Sequence, residues 1–221
     1  GLGDVYKRQV DEMIDCAEKE VTVIDRTESA KSVVEIIKLS ESPMSAVGIE
    51  AFAEGSAEAL PEKPLKIEFI GDSITCGYGV DDEDENHQFT TATEDVTKAY
   101  AYKTAKALDA EYSMFSASGY GIVSGYTEGD EPISEQTIPQ FYCSYGFSRG
   151  NFAGTAPQDI PWDFSKYIPQ IIVINLGTND DSYCRDHKDR QAVFSKLYAD
   201  FLAVVREKNP QAYILCTVGT V

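Results

Sequence analysis

The rhythm of apolar positions along the chain changes near residue 65. Between Glu18 and Glu54 the segments VTVIDR, SVVEIIKL and SAVGIEAF are β-branched or alternate apolar with polar positions, and Ser, Glu and Pro separate them, the pattern of short strands. Three such segments cannot close a sheet pair alone, so they either pack on the next domain or pair with strands upstream. Gly55 to Pro64, with its Ala, Glu and two prolines, has linker character. After it, strand-like and helix-like stretches alternate, which predicts an α/β domain with a doubly wound parallel sheet. The strands are predicted at Lys66 to Ile70, Glu111 to Ser116, Gln170 to Leu176 and Ala212 to Val218. Thr91-Ala92-Thr93-Glu94 has the form of a capping box opening a first helix, with Val96, Ala99, Tyr100, Ala107 and Leu108 on one face. Phe194, Leu197, Tyr198, Phe201, Leu202 and Val205 give a second helix its apolar stripe, and Asn209-Pro210 stops it. The chain ends at Val221 directly after a strand, where a doubly wound domain ordinarily continues, so a fragment truncated at both ends is expected.

Composition narrows the functional classes. At 221 residues and 43% hydrophobic content, the chain can bury one α/β core and part of a second unit. Its longest apolar runs, such as Ile171 to Ile174, have strand length, far short of the roughly 20 residues that cross a bilayer, so a membrane partner is not expected. With 37 acidic against 19 basic residues, the net charge of −18 repels nucleic acid and anionic lipid. The run Asp81 to Glu85 reads as a solvated loop. Cys16, Cys76, Cys143, Cys184 and Cys216 lack the close pairing of a zinc ribbon or redox site and do not fix a compartment. His87 and His187 show no ligand-like spacing, so neither a metal nor a cofactor is expected. Gly1 to Gln9 has no apolar core or cleavage site of a signal peptide; GLGDVYKRQ resembles a translated adapter sequence and is expected to lie outside the fold.

Three short segments carry candidate chemistry. In IEFIGDSIT, Ser73 stands where an apolar strand gives way to a helical turn, which projects a hydroxyl beside a helix N-terminus. Alone, this string is equally a turn with Asp72 or Ser73 as its cap. SASGYG follows the second strand and LGTND the third, so all three motifs fall on the carboxyl rim of the predicted sheet, where open α/β sheets build their sites.

In this order the segments resemble the first three blocks of the SGNH, or GDSL-like, serine hydrolases. The wider stretches IEFIGDSITCGYGV, TATEDVTKAYAYKTAKAL and PWDFSKYIPQIIVINLGTND are similar to carbohydrate esterase family 2, whose members join an N-terminal β-sandwich to the SGNH domain. The resemblance implies a chain divided into 10–54, the end of a jelly-roll-like β-sandwich; 55–64, a linker; and 65–221, an SGNH hydrolase domain incomplete at its C-terminus. It implies Ser73 as nucleophile and an oxyanion hole made of the Ser73 and Gly119 N–H groups and the Asn179 amide, with Asp72 and Asp180 as supporting groups. Cys76 is the rival nucleophile close by, expected to face into the helical turn. The family's general base is a histidine in a late DxxH-like block that this sequence does not contain, and His87 and His187 read as surface residues.

The activity implied is removal of O-acetyl groups from neutral hemicellulose-type poly- or oligosaccharide, in a secreted or cell-envelope protein. The alternatives are another SGNH esterase, lipase or thioesterase, for which no apolar acyl groove is visible, and a non-catalytic carbohydrate-binding or scaffold protein. Between Gly119 and Trp162, the rings of Tyr120, Tyr126, Phe141, Tyr142, Tyr145, Phe147 and Phe152 either stack on sugar or pack a long loop onto the sheet. Tyr120 and Trp162 are the substrate-contact candidates.

Overall fold

The computed structural model describes residues 33–45, 47–49, 58–84, 86–150, 154–217 and 219. The chain divides into two compact units, Gly1–Lys38 and Leu39–Val221. The predicted strand VTVIDR and half of SAVGIEAF lie outside the described residues, and residues 33–39 carry no regular element. Among the described residues no helix is long and apolar enough to cross a membrane.

In the second unit four strands form one parallel sheet: β1 Lys66–Gly71, β2 Glu111–Ser116, β3 Ile171–Asn175 and β4 Tyr213–Thr217. Each falls within one or two residues of the stretch its apolar run predicts. The sheet order is β2-β1-β3-β4. The chain steps from β1 outward to β2, then crosses back over β1 to β3. That reversal puts the topological switch point between β1 and β3, where two crossover loops diverge and leave a crevice at the carboxyl ends. Gly71 pairs with Ser116 on one side and Asn175 on the other, so the ends of β1, β2 and β3 lie level.

Helices cover both faces. On one, α2 (Tyr100–Ala107) buries Ala101 and Ala105 against Ile67, Phe69 and Val173. On the other, α4 (Lys188–Lys208) buries Phe201 and Val205 against Ile70, Ile172 and Ile174. Two short helices, α1 (Ser73–Cys76) and α3 (Thr178–Cys184), follow β1 and β3 on the rim.

The first long helix begins later than its sequence suggests. Thr91–Thr93 and Val96–Lys98 are 3₁₀ turns, and α2 starts at Tyr100. The capping box does not form because the Glu94 carboxylate is fully buried and accepts the backbone N–H of Glu41 at 3.1 Å. The buried face is consequently the small one, Ala101 and Ala105, while Leu108 is left 52% exposed. α4 follows its predicted stripe and ends at Asn209, although Leu197 stays 37% exposed.

Candidate active site

Ser73 opens α1 directly after β1. Asp72 caps the turn: its Oδ1 accepts the Ile74 N–H at 3.0 Å, and its carbonyl accepts those of Thr75 and Cys76. Gly77 closes it at φ +77°, where a Cβ would lie 2.5 Å from the Asp95 carbonyl oxygen. Behind the serine, Gly71 has no room for a side chain, since a Cβ would meet Thr75 Oγ1 at 2.0 Å. The turn is therefore held by local bonds and by close packing, with Ser73 partly exposed on it.

Gly119 follows β2 with φ +80°, a backbone conformation that costs an L side chain about 1–2 kcal/mol. An added Cβ there meets nothing within 4 Å, so that side of the residue is open. The backbone N–H groups of Ser73 and Gly119 have no acceptor among the described residues. An oxyanion hole requires such free donors.

Asn179 stands in the first turn of α3, 7% exposed. Its Nδ2 donates to the Tyr120 carbonyl at 2.8 Å and lies 3.3 Å from Asp72 Oδ2. The Tyr120 bond and the longer, weaker Asp72 contact together align the amide, and the N–H on the weaker contact is the one that another acceptor can capture.

The two supporting acids have separate tasks. Asp72 links the serine turn to Asn179. Asp180 braces the glycine loop: its Oδ1 accepts the N–H groups of Ile122 at 3.0 Å, Val123 at 2.6 Å and Ser124 at 3.1 Å, and its Oδ2 lies 2.9 Å from the Ile122 nitrogen. Gly121 is required here, because a Cβ would stand 2.1 Å from the Ser124 carbonyl oxygen and 2.6 Å from Asp180 Oδ2. Burial pushes Asp72 up to about 6, against the pull of the Ile74 N–H, and the neighbouring Asp180 adds to the rise. Burial also raises Asp180, opposed by its three N–H donors.

Cys76 is 2% exposed and points away from the rim, with Sγ 3.2 Å from Ser116 Oγ and 3.7 Å from Glu41 Oε2. Burial, reinforced by the Glu41 charge, holds its thiol well above the ordinary range, so it stays a neutral S–H and not a thiolate. Glu41, Cys76 and Glu94 bring a possible metal-ligand atom each to within 4.8 Å of one another. Backbone N–H groups already occupy one oxygen of each carboxylate: Ser118 bonds Glu41 at 2.6 Å, and Glu41 bonds Glu94.

Both histidines lie on the surface. His87 Nδ1 is 2.8 Å from Asp82 Oδ1, and His187 precedes α4. Neither bonds Ser73. The loop aromatics mostly pack: Tyr120 is 4% exposed against Phe141 and Phe147, and Tyr142 is buried against Phe115, Phe164 and Phe201. Trp162 is half-buried and faces Tyr145 at 5.9 Å. Phe152 lies outside the described residues. Tyr120 thus meets the site with its carbonyl, while its ring belongs to the core.

Sequence reasoning missed Glu41 and Glu94 as groups packed behind the site. Glu41 carries no local signal, standing in the Ser, Glu and Pro stretch between two predicted strands, and Glu94 is masked by its capping-box spacing.

The chain is similar to several known proteins. The cellulase/esterase CelE of Acetivibrio thermocellus is 37% identical over 185 residues, 82% of this chain and 21% of that protein. An acetylxylan esterase / glucomannan deacetylase of Cellvibrio japonicus is 31% identical over 214 residues, covering 94% of this chain and 55% of its own length. The chain thus spans at most about half the length of these relatives. Among solved structures, a family two carbohydrate esterase from Clostridium thermocellum in complex with cellohexaose matches with TM-score 0.61 at 35% identity, over 75% of this chain and 46% of that one. An acetyl xylan esterase from Butyrivibrio proteoclasticus matches with TM-score 0.66 at 26% identity, over 74% and 49%. The model of the GDSL-like Lipase/Acylhydrolase family matches residues 69–221, and the chain belongs to that family.

Proposed function

We propose that this chain carries the catalytic face of a serine-dependent carbohydrate O-acetyl esterase acting on neutral acetylated poly- or oligosaccharide. The observation that carries the reading is the cross-bracing of three loops on one rim. Asp72 joins the Ser73 turn to Asn179, Asn179 joins the Tyr120 carbonyl, and Asp180 holds the loop that follows. In the reaction, Ser73 Oγ attacks the acetyl carbonyl and a base takes its proton. The oxyanion then accepts hydrogen bonds from the Ser73 and Gly119 N–H groups and from the Asn179 amide. Among the described residues no histidine bonds Ser73, and the family resemblance assigns the base to a histidine of a DxxH-like block. Collapse of the oxyanion breaks the ester C–O bond, the sugar leaves as an alcohol with the proton the base took from Ser73, and water activated by the same base then deacylates the acetyl-serine, releasing acetate. The relatives named as acetylxylan esterases, and the neighbour solved with cellohexaose, support sugar as the alcohol part of the ester.

The test uses the protein expressed from its natural gene, assayed for acetate release from acetylated xylan and glucomannan. Ser73→Ala is expected to remove activity, with at most about 10³- to 10⁴-fold catalysis over water surviving. Cys76→Ser is expected to keep most of it. The reverse ranking would exclude Ser73 as nucleophile.

A further inference from the structure

We propose that Glu41 is a positioning residue for this esterase reaction, holding the turn that presents the Gly119 N–H and coupling that turn to the helix that carries Ser73. The inference rests on the esterase reading. Glu41 stands before the linker in sequence, yet its side chain lies under the rim, 7% exposed. Its Oε2 accepts the Ser118 backbone N–H at 2.6 Å. Ser118 immediately precedes Gly119, so this bond holds the peptide unit next to the one that carries the oxyanion donor. The same oxygen lies 3.7 Å from Cys76 Sγ, and Cys76 occupies the last position of the short helix that Ser73 opens. One carboxylate oxygen therefore touches both walls of the site from below.

The chemistry suits a brace better than a ligand site. The Ser118 bond has the short length of a charge-assisted N–H to carboxylate contact, the stronger class of hydrogen bond. Glu41 is itself anchored: its N–H sits on the Glu94 carboxylate at 3.1 Å, and its carbonyl accepts the N–H groups of Met44 and Ser45, both at 3.2 Å. The strap around it is tied at either side, with the Leu39 carbonyl accepting the Val96 N–H at 3.1 Å and the Pro43 carbonyl the Arg149 N–H at 3.4 Å. A brace held at four points transmits little slack to Ser118. Asp180 fixes the glycine loop downstream of Gly119, and Glu41 fixes it upstream, so the residue whose N–H must meet the oxyanion is clamped from both sides. Oxyanion stabilisation depends on donors already in place before charge develops, so loosening one clamp should slow the chemical step and leave ground-state binding alone.

The test compares wild type, Glu41→Ala, Glu41→Gln and Glu41→Asp, expressed from the natural gene, on an acetylated xylo-oligosaccharide. Amide hydrogen exchange across residues 116–121 is measured in parallel. Glu41→Ala is expected to lower kcat about 10- to 100-fold with KM within about twofold of wild type, the mark of an interaction that matters in the transition state. Glu41→Gln keeps an acceptor oxygen in place and should recover kcat to within about fivefold. Glu41→Asp keeps the charge but withdraws it from Ser118, and should lose kcat as Ala does, with faster exchange at the Ser118 N–H. If Glu41→Ala does not fold, Glu41→Asp decides: kcat within about twofold of wild type overturns the inference, as does a KM rise matching the kcat loss. A wild-type protein that releases no acetate would remove the esterase reading instead. In that event unchanged exchange in Glu41→Asp would remove the brace as well, and faster exchange would keep it.

Discussion

Glu68 offers a quantitative check on the core beneath the site. It lies on β1, a central strand, 8% exposed, with Oε2 accepting the Tyr142 hydroxyl at 3.0 Å; Asn209 Nδ2 donates to that hydroxyl at 2.8 Å. Burial pushes the Glu68 carboxyl from 4.5 up to about 7, and the Tyr142 bond only partly offsets it. A carboxyl raised in the folded state binds its proton more tightly there than in the unfolded chain. Its contribution is therefore fully present below pH 4.5, is lost as pH rises toward 7, and stays lost above. A rise of that size is worth about 3 kcal/mol, the same order as the loss of a well-packed core side chain. Glu68→Gln preserves an acceptor for Tyr142 and removes the titration. Reversible urea unfolding at pH 4.5, 6 and 8 should show wild type losing about 3 kcal/mol more than the variant across that range. Asp72, raised to about 6, adds a slope of the same sign in both proteins, so the difference between them isolates Glu68. Parallel pH profiles for the two proteins would refute the reasoning.

Asp180→Asn replaces a carboxylate that accepts three backbone N–H groups with an amide that turns an NH₂ toward one of them. A loss of about 3 kcal/mol in urea unfolding is expected, at about 1 kcal/mol per weakened bond, together with a lower kcat. Gly119→Ala meets open space but a left-handed backbone, so kcat should fall at least about 10-fold with KM little changed, read by initial rates on an acetyl ester. The partly buried Asp82, which contacts His87, and the exposed Asp84 follow Ser73 on the same stretch, and Asp81 is ion-paired with Lys98. Asp82→Asn with Asp84→Asn should raise kcat/KM for acetylated uronic acids relative to neutral sugars, an advantage that fades as salt is added.

Much of this was legible because it is local. Ile171 to Ile174 can only be a buried strand at that length, and the spacing of Phe194, Phe201 and Val205 places α4 against the sheet. Ser73, Gly119 and Asn179 each follow a strand directly, so a parallel sheet delivers them to one rim without further information. What could not be read is who takes each carboxylate. Asp180 spends its oxygens on backbone 56 to 58 residues away, and Glu41 reaches a backbone N–H 77 residues away. Glu94 misled for the same reason. Its spacing from Thr91 satisfies a capping box, but its carboxylate is used by the Glu41 N–H, and α2 starts six residues later. Periodicity records which face is apolar. It carries no record of which distant backbone donor a buried acid will satisfy.

The braces also set two pH dependences against each other. Asp72 accepts from Ile74 N–H and faces the Asn179 amide only as long as its oxygens are acceptors. With its proton binding near 6, acidification below that point turns one of them into a hydroxyl and removes the contact that aligns the amide. Activity should then fall as pH drops through 6. The same protonation stabilises the fold, because the folded state of both Asp72 and Glu68 favours the neutral form. Of the acids that shift the other way, Asp84, Asp109 and Asp163 lie in solvent, where screening leaves them little weight, and Asp82 is partly buried beside the exposed His87. The pH of greatest stability should consequently sit below the pH of greatest activity. Measuring Tm and kcat/KM across pH 4.5 to 8 on one preparation tests this directly, and Asp72→Asn separates Asp72 from the base. Wild type should lose more activity than the variant between pH 7 and 5, since Asp72 no longer titrates in Asp72→Asn; equal losses would mean that Asp72 does not govern the alignment of Asn179.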